Sequence, residues 1–266
     1  MKISASRVFS LLLILSVVAL AGCKTMVAEQ EGSFVKRTVR VGGAARTYQV
    51  FVPAHRDPNQ LTPVVLFLHG SGERGSDGNV QVEAGLGPYV RAHKNDFPAI
   101  VVFPQVPENG EWMGENVDMA LDALDAASKE FNGDPKRTYL TGLSMGGYGT
   151  WETALKSPTR FAALVPICGA LMAFNDERQL YVTQVAKESD PYAALAMRLK
   201  QVPIWIFHGA KDNVVPPHDD RKTFAALKAA GADVHYTEFP EASHNSWDDT
   251  YRLDAMWTWL FAQKKD

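Results

Sequence analysis

The sequence predicts an α/β fold, with a mainly parallel central sheet and helices on both faces. Three observations point to it. Short, continuous apolar runs at 64–68, 100–103, 162–167 and 204–207 have the length and composition of strands buried on both faces. Helical patterns separate several of them, and such alternation is the signature of a parallel sheet covered by helices. The 266 residues, 46% hydrophobic and 10% aromatic, suffice for one substantial core.

Taken in order, segments 34–41 and 47–52 flank Gly42-Gly43 and read as an opening antiparallel pair. Residues 79–95, between the strands at 64–68 and 100–103, are expected to be partly helical. Over 117–131 the residues Val117, Ala120, Leu121, Leu124, Ala127 and Phe131 fall on one stripe. Asp118, Asp122 and Asp125 fall off that stripe, which assigns them to a solvated face and not to a pair of catalytic carboxylates. Asn132-Gly133 ends this helix, and Asp134-Pro135 forbids its continuation. Further strands are expected at 138–141, 162–167, 204–207 and 235–239, with helices at 146–157, 219–230 and 249–263. In the last helix Trp257, Leu260 and Phe261 are core candidates. Residues 171–200 form the sizeable excursion, divided by Asp190-Pro191 and short for a full lid domain. No internal repeat, low-complexity tract or second domain is evident.

The chemistry concentrates at Gly142-Leu143-Ser144-Met145-Gly146-Gly147, between a strand and a helix. A serine on such a sharp turn is exposed, and bulky side chains two residues to either side would clash, hence Gly142 and Gly146. The turn also aims the Met145 N–H, at a helix N-terminus, toward a developing oxyanion. A hydroxyl is a poor nucleophile at neutral pH, so Ser144 needs a base. Among the seven histidines, His244 follows the last strand on a polar loop, at the carboxyl rim of the sheet. His55 and His93 lie away from that rim, His218 begins a helix and His235 sits inside a strand. His69 and His208 are placed to hydrogen-bond backbone and shape loops. A base histidine needs a carboxylate to fix its tautomer. Asp212, after the strand at 204–207, fills that place, while Asp219 and Asp220 read as first-turn acids of the next helix. The order Ser144, Asp212, His244 is the α/β-hydrolase order. A second oxyanion donor is expected in Leu68-His69-Gly70-Ser71-Gly72-Glu73-Arg74-Gly75, from Ser71 N–H or, failing that, Gly72 N–H. Glu73 and Arg74 are expected to form an ion pair bracing this loop. A base of this kind predicts activity that falls as pH drops through about 6–7.

Four segments together, 69–75, 104–112, 134–151 and 208–216, resemble a family of bacterial esterases described as predicted peptidases or phospholipase/carboxylesterases, related to feruloyl esterases and polyhydroxybutyrate depolymerases. The likeness covers roughly residues 34–262. It implies an α/β-hydrolase fold without a large lid domain and ester hydrolysis through an acyl-enzyme, with no metal and no cofactor. The substrate implied is a small-molecule or glycan ester, with acyl or feruloyl esters as a subset. Segment 104–112 should border the pocket. Trp112 is read there either as an aromatic wall for a sugar or phenolic group or as packing beneath the active-site loops. Gln105 is read as a pocket residue that could brace the oxyanion loop. Two rival readings stand beside the esterase. A serine peptidase of prolyl-oligopeptidase type shares fold and triad but usually carries a large gating domain, for which no room is expected here. A catalytically inactive ligand-binding lipoprotein is opposed by the filling of every triad position.

The N-terminus predicts an address. Lys2 and Arg7 precede an almost wholly apolar stretch over 8–20, too short to span a bilayer of roughly 30 Å as a helix, and read as a secretory signal. Leu20-Ala21-Gly22-Cys23 resembles a bacterial lipobox, which implies a lipidated, palmitate-bearing Cys23 and a stable membrane anchor. The organisation expected is a lipoprotein signal peptide at 1–22, a lipidated N-terminus and tether at 23–33, and a catalytic domain at 34–266. The expected location is the bacterial cell envelope, facing the periplasm or at the outer membrane; Lys24 favours the outer membrane. Cys168, the other cysteine, is expected to be a buried, inert thiol. Without residues 1–22, whose only charges are Lys2 and Arg7, the formal charge moves from −3 to −5. No basic stripe appears, so nucleic acid is not expected as a partner.

Overall fold

The computed structural model describes residues 31–57, 59–173 and 180–266. The expected signal segment, Cys23 and most of the expected tether lie outside the described residues. The fold begins slightly before the expected end of the tether, because Gly32 N–H donates to the Lys94 carbonyl at 3.0 Å and Ser33 already belongs to the first strand.

Eight strands form one sheet. They are β1 (Ser33–Val41), β2 (Ala44–Val52), β3 (Thr62–Leu68), β4 (Ile100–Pro104), β5 (Gly133–Leu143), β6 (Ala163–Ile167), β7 (Ile204–Gly209) and β8 (Val234–Phe239). Their spatial order is β1-β2-β4-β3-β5-β6-β7-β8. The β1–β2 hairpin joins β4 antiparallel, and every later pairing is parallel. Among the described residues the helices are α1 (Leu86–Ala92), α2 (Glu115–Glu130), α3 (Met145–Lys156), α4 (Pro191–Leu199), α5 (His218–Ala229), α6 (Trp247–Arg252) and α7 (Asp254–Ala262). This is the α/β-hydrolase architecture.

The pleat sends alternate residues to opposite sides. Val64, Leu66 and Leu68 enter a core shared with α2, α3, α4 and α5, whereas Val65 and Phe67 enter a second core with α1, α6 and α7. On α2 the residues Val117, Ala120, Leu124 and Ala127 are buried. Asp118 and Asp125 pair with Lys156 and Arg160 at the surface, in keeping with a solvated face.

Three expectations change. The helix expected over 249–263 is two helices, α6 and α7, broken at Leu253, whose backbone is extended. The break lets Tyr251 and Trp257 enter the same core, and Trp257 Nε1 donates to the Tyr251 carbonyl at 2.8 Å. The excursion after β6 contains α4, for which Asp190-Pro191 is a start signal: the Asp190 carboxylate accepts the Tyr192 and Ala193 N–H groups and Pro191 sits in the first turn. β5 begins at Gly133, five residues before the expected 138. The loops after β3, β5, β6, β7 and β8 all leave the same edge of the sheet, and the site lies there.

Candidate active site

Ser144 sits between β5 and α3 with φ 53° and ψ −117°, a conformation that costs a non-glycine residue about 1–3 kcal/mol. The surroundings hold it there. Ser144 N–H donates to the Ile167 carbonyl at 2.9 Å, and the Ser144 carbonyl accepts Gly147 N–H at 2.7 Å. A Cβ on Gly146 would overlap the Leu68 carbonyl and lie 2.8 Å from that of His69, and one on Gly142 would overlap the Gly146 carbonyl. Strand and helix therefore approach as closely as they do only because both positions lack side chains.

The three side chains predicted to converge are brought together. His244 Nε2 is 2.9 Å from Ser144 Oγ, and His244 Nδ1 is 2.7 Å from Asp212 Oδ2. The other oxygen of Asp212 accepts Val214 N–H at 2.9 Å and Val215 N–H at 3.0 Å. Burial would raise the Asp212 pKa, but hydrogen bonds from His208, His244 and Val215 N–H overcome it and hold the group well below the usual carboxylate range. Asp212 is thus a fixed anion, and His244 stays partly open to solvent while Asp212 is sealed.

The loop after β3 is held by β4 and the segment that follows. Ser71 opens a short 3₁₀ turn, Ser71–Glu73, and Met145 opens α3. His69 ring Nδ1 is 2.6 Å from the Gly70 carbonyl, and its Nε2 accepts Val106 N–H at 3.0 Å. Burial drives its pKa down to about 4, against the raising effect of the Gly70 bond, so the ring is neutral. Gln105 spans the loop, accepting Gly78 N–H at 2.8 Å and donating to Asp77 Oδ1 at 3.1 Å and the Glu73 carbonyl at 3.3 Å. It is buried, so it braces the loop and does not line an open pocket. Trp112 is corrected likewise. It is only 2% exposed, donates from Nε1 to the His69 carbonyl at 2.9 Å, and packs edge-on to the His69 ring. It lies beneath the loops and offers no aromatic wall. The expected Glu73–Arg74 pair is not formed: Arg74 pairs with Glu111 at 2.7 Å and donates to the Gly110 carbonyl at 2.6 Å.

A buried layer behind Asp212 is the part that sequence reasoning missed. His208 Nδ1 is 2.8 Å from Asp220 Oδ2, and its Nε2 is 2.8 Å from the Val215 carbonyl and 3.2 Å from Asp212 Oδ2. Asp219 and Asp220 do occupy the first turn of α5, yet both are buried. Asp219 accepts Leu171 N–H at 2.6 Å and the Tyr192 hydroxyl at 2.7 Å. The available signal was a histidine at the end of the apolar run 204–207, followed by three acids within twelve residues. Cys168 is buried, and burial pushes its thiol pKa up, as for an inert thiol. Its sulfur, Asp212 and His244 are the one group of potential metal ligands among the described residues, with donor atoms within 4.8 Å of one another. Two of those atoms already face each other across a hydrogen bond.

Residues 108–265 match the prolyl oligopeptidase family, over more than half of the chain. The chain belongs to the prolyl oligopeptidase family. Individual relatives fall on both sides of the ester–amide divide. The chain is 27% identical over 187 residues to a bifunctional acetylxylan esterase/xylanase of Neocallimastix patriciarum, covering 66% of this chain and 23% of that protein. It is 28% identical over 154 residues to an uncharacterized peptidase of Bacillus subtilis (strain 168), covering 51% of this chain and 23% of that one. The chain therefore spans about a quarter of the length of these curated relatives. Among solved structures, a thermostable esterase superposes with a TM-score of 0.70 at 31% identity, over 87% of this chain and 63% of the other. Family and fold align the chain with hydrolases of esterase and of peptidase type.

Proposed function

We propose that the chain is a serine hydrolase of carboxylic esters that works through an acyl-enzyme. The observation that carries this reading is the unbroken hydrogen-bonded line from Ser144 Oγ through the His244 ring to Asp212, with the serine on a strained elbow. Ser144 Oγ attacks the ester carbonyl carbon as its proton passes to His244 Nε2, 2.9 Å away. Asp212 holds Nδ1–H and offsets the charge of the imidazolium that forms. The negative oxygen is received by the N–H groups of Met145 and Ser71, each worth about 3–4 kcal/mol of transition-state stabilisation. Collapse expels the alcohol, which takes the proton from His244. Water then repeats the sequence on the acyl-enzyme and releases the acid and free Ser144.

Esters of glycans are the substrates we favour, a reading supported by the acetylxylan esterase relative, while the thermostable esterase structure supports ester hydrolysis in general. The proposed place of action is the bacterial cell envelope, with the catalytic domain held at a membrane through lipid on Cys23. A peptidase is the second reading, favoured by the family itself and by the Bacillus subtilis relative. The test compares p-nitrophenyl acetate, acetylated and feruloylated sugars and peptide p-nitroanilides. Ester turnover is expected to exceed amide turnover and to fall by about a thousandfold or more in Ser144→Ala. Amide turnover in excess would decide for the peptidase, and undiminished turnover in Ser144→Ala would refute the nucleophile.

A further inference from the structure

We infer that His208 is a positioning residue: an imidazolium clamped between Asp220 and Asp212 that fixes the carboxylate behind His244 and offsets part of its charge. The inference rests on the triad reading above and adds a fourth side chain to it.

The geometry favours the charge. His208 Nε2 faces the Val215 carbonyl at 2.8 Å, and a carbonyl can only accept, so this nitrogen carries a proton. His208 Nδ1 faces Asp220 Oδ2 at 2.8 Å, and against a carboxylate it too must donate. Burial pushes the Asp220 pKa up to about 6, with His208 opposing, which fits an ionised acid beside a doubly protonated ring. Bonds to Asp212 and Asp220 overcome the burial of the ring and raise its own pKa to about 10. Neither carboxylate is ion-paired with a lysine or arginine among the described residues, and Asp220 Oδ1 has no partner. A buried carboxylate without a cation is costly, and His208 is the cation available.

The remaining groups around the ring do not compete for this role. Asp219 of α5 and Cys168 beyond β6 act on Asp220 only through space. From β8, Tyr236 is bonded to Glu238, which is paired with Arg221 at the surface. His244 and His208 approach the same atom, Asp212 Oδ2, at 2.7 and 3.2 Å, so the two ring nitrogens are no more than about 6 Å apart. A cation so placed opposes the formation of a second one on His244.

The experiment uses the whole chain and His208→Gln, whose amide can keep a neutral donor near Nε2. The acid limb of kcat/KM for p-nitrophenyl acetate is expected to rise by about one pH unit, with kcat reduced several-fold and KM little changed. An unmoved acid limb in an enzyme that still depends on Ser144 overturns the inference alone, whereas activity that survives Ser144→Ala defeats the triad reading beneath it. Should the variant not fold, nitrogen-15 NMR of the unaltered chain at pH 8 decides directly. Protons on both ring nitrogens of His208 are expected, and a single one overturns the inference.

Discussion

Replacing Trp112 by alanine separates a packing residue from a substrate-binding one. The side chain is 2% exposed, its edge meets the His69 ring with centroids 5.0 Å apart, and a Cβ on Gly149 would come within 2.5 Å of it. A tryptophan buries roughly 150–250 Å², and measured Trp→Ala costs run to about 3–5 kcal/mol. The variant also leaves the buried His69 carbonyl without its 2.9 Å donor, which adds about 1–3 kcal/mol. The expected loss is therefore about 4–8 kcal/mol, much of the stability of an ordinary domain. Trp112→Phe keeps most of the packing and loses only the N–H, so about 1–3 kcal/mol is expected. Urea unfolding at low temperature reads both, through the midpoint at constant slope. KM for a soluble ester should change by less than about twofold in Trp112→Phe, since the ring touches loop backbone and not the open site. A Trp112→Ala chain with an unchanged urea midpoint and a raised KM would refute the argument.

Acid stability should carry the mark of His69. The unfolded chain protonates this ring near pH 6.5, while the folded chain resists until about pH 4. Between those values the unfolded state binds the extra proton, so stability falls as pH drops through that window, by about 1.4 kcal/mol per unit at most. His69→Gln should flatten the fall in urea midpoint from pH 7 to pH 4.5, and an identical slope would refute the assignment. Gly146→Ala is expected to yield little folded protein, because the overlapping atoms belong to β3 backbone that cannot swing aside. A soluble variant with ordinary thermal stability and full ester turnover would contradict that geometry.

Strand positions were legible because burial on both faces leaves runs such as 64–68 and 100–103 without polar interruption. The meeting of residues 144, 212 and 244 was legible for a related reason. Each follows a predicted strand, and parallel strands deliver the loops at their carboxyl ends to one edge. What could not be read were partnerships settled by tertiary distance. Arg74 had an acid beside it in sequence and chose Glu111, 37 residues on. Asp219 and Asp220 obeyed the first-turn rule, but the rule does not say whether a helix end faces water. The break at Leu253 reflects the same limit, since helical spacing continues through it and only the docking of Tyr251 and Trp257 requires the chain to turn.

The buried acids near the sheet edge share a task that explains why they are tolerated. Asp212 accepts two backbone N–H groups in the loop after β7. Asp219 accepts Leu171 N–H where the chain leaves β6, and binds the Tyr192 hydroxyl on the first turn of α4. Glu152, buried on α3, accepts Thr183 N–H at 2.7 Å and the hydroxyl of the same residue. In each case the backbone has left the sheet, and its N–H groups need acceptors that neighbouring strands no longer supply. A carboxylate presents two oxygens and can serve two such donors at once, with charge-assisted bonds stronger than neutral ones. The desolvation cost of each acid is thereby set against donors that would themselves be costly to bury unpaired. Loops tied in this way hold the Ser144 hydroxyl and the His244 ring at 2.9 Å without requiring a closed lid to align them, so their geometry should be present before substrate arrives.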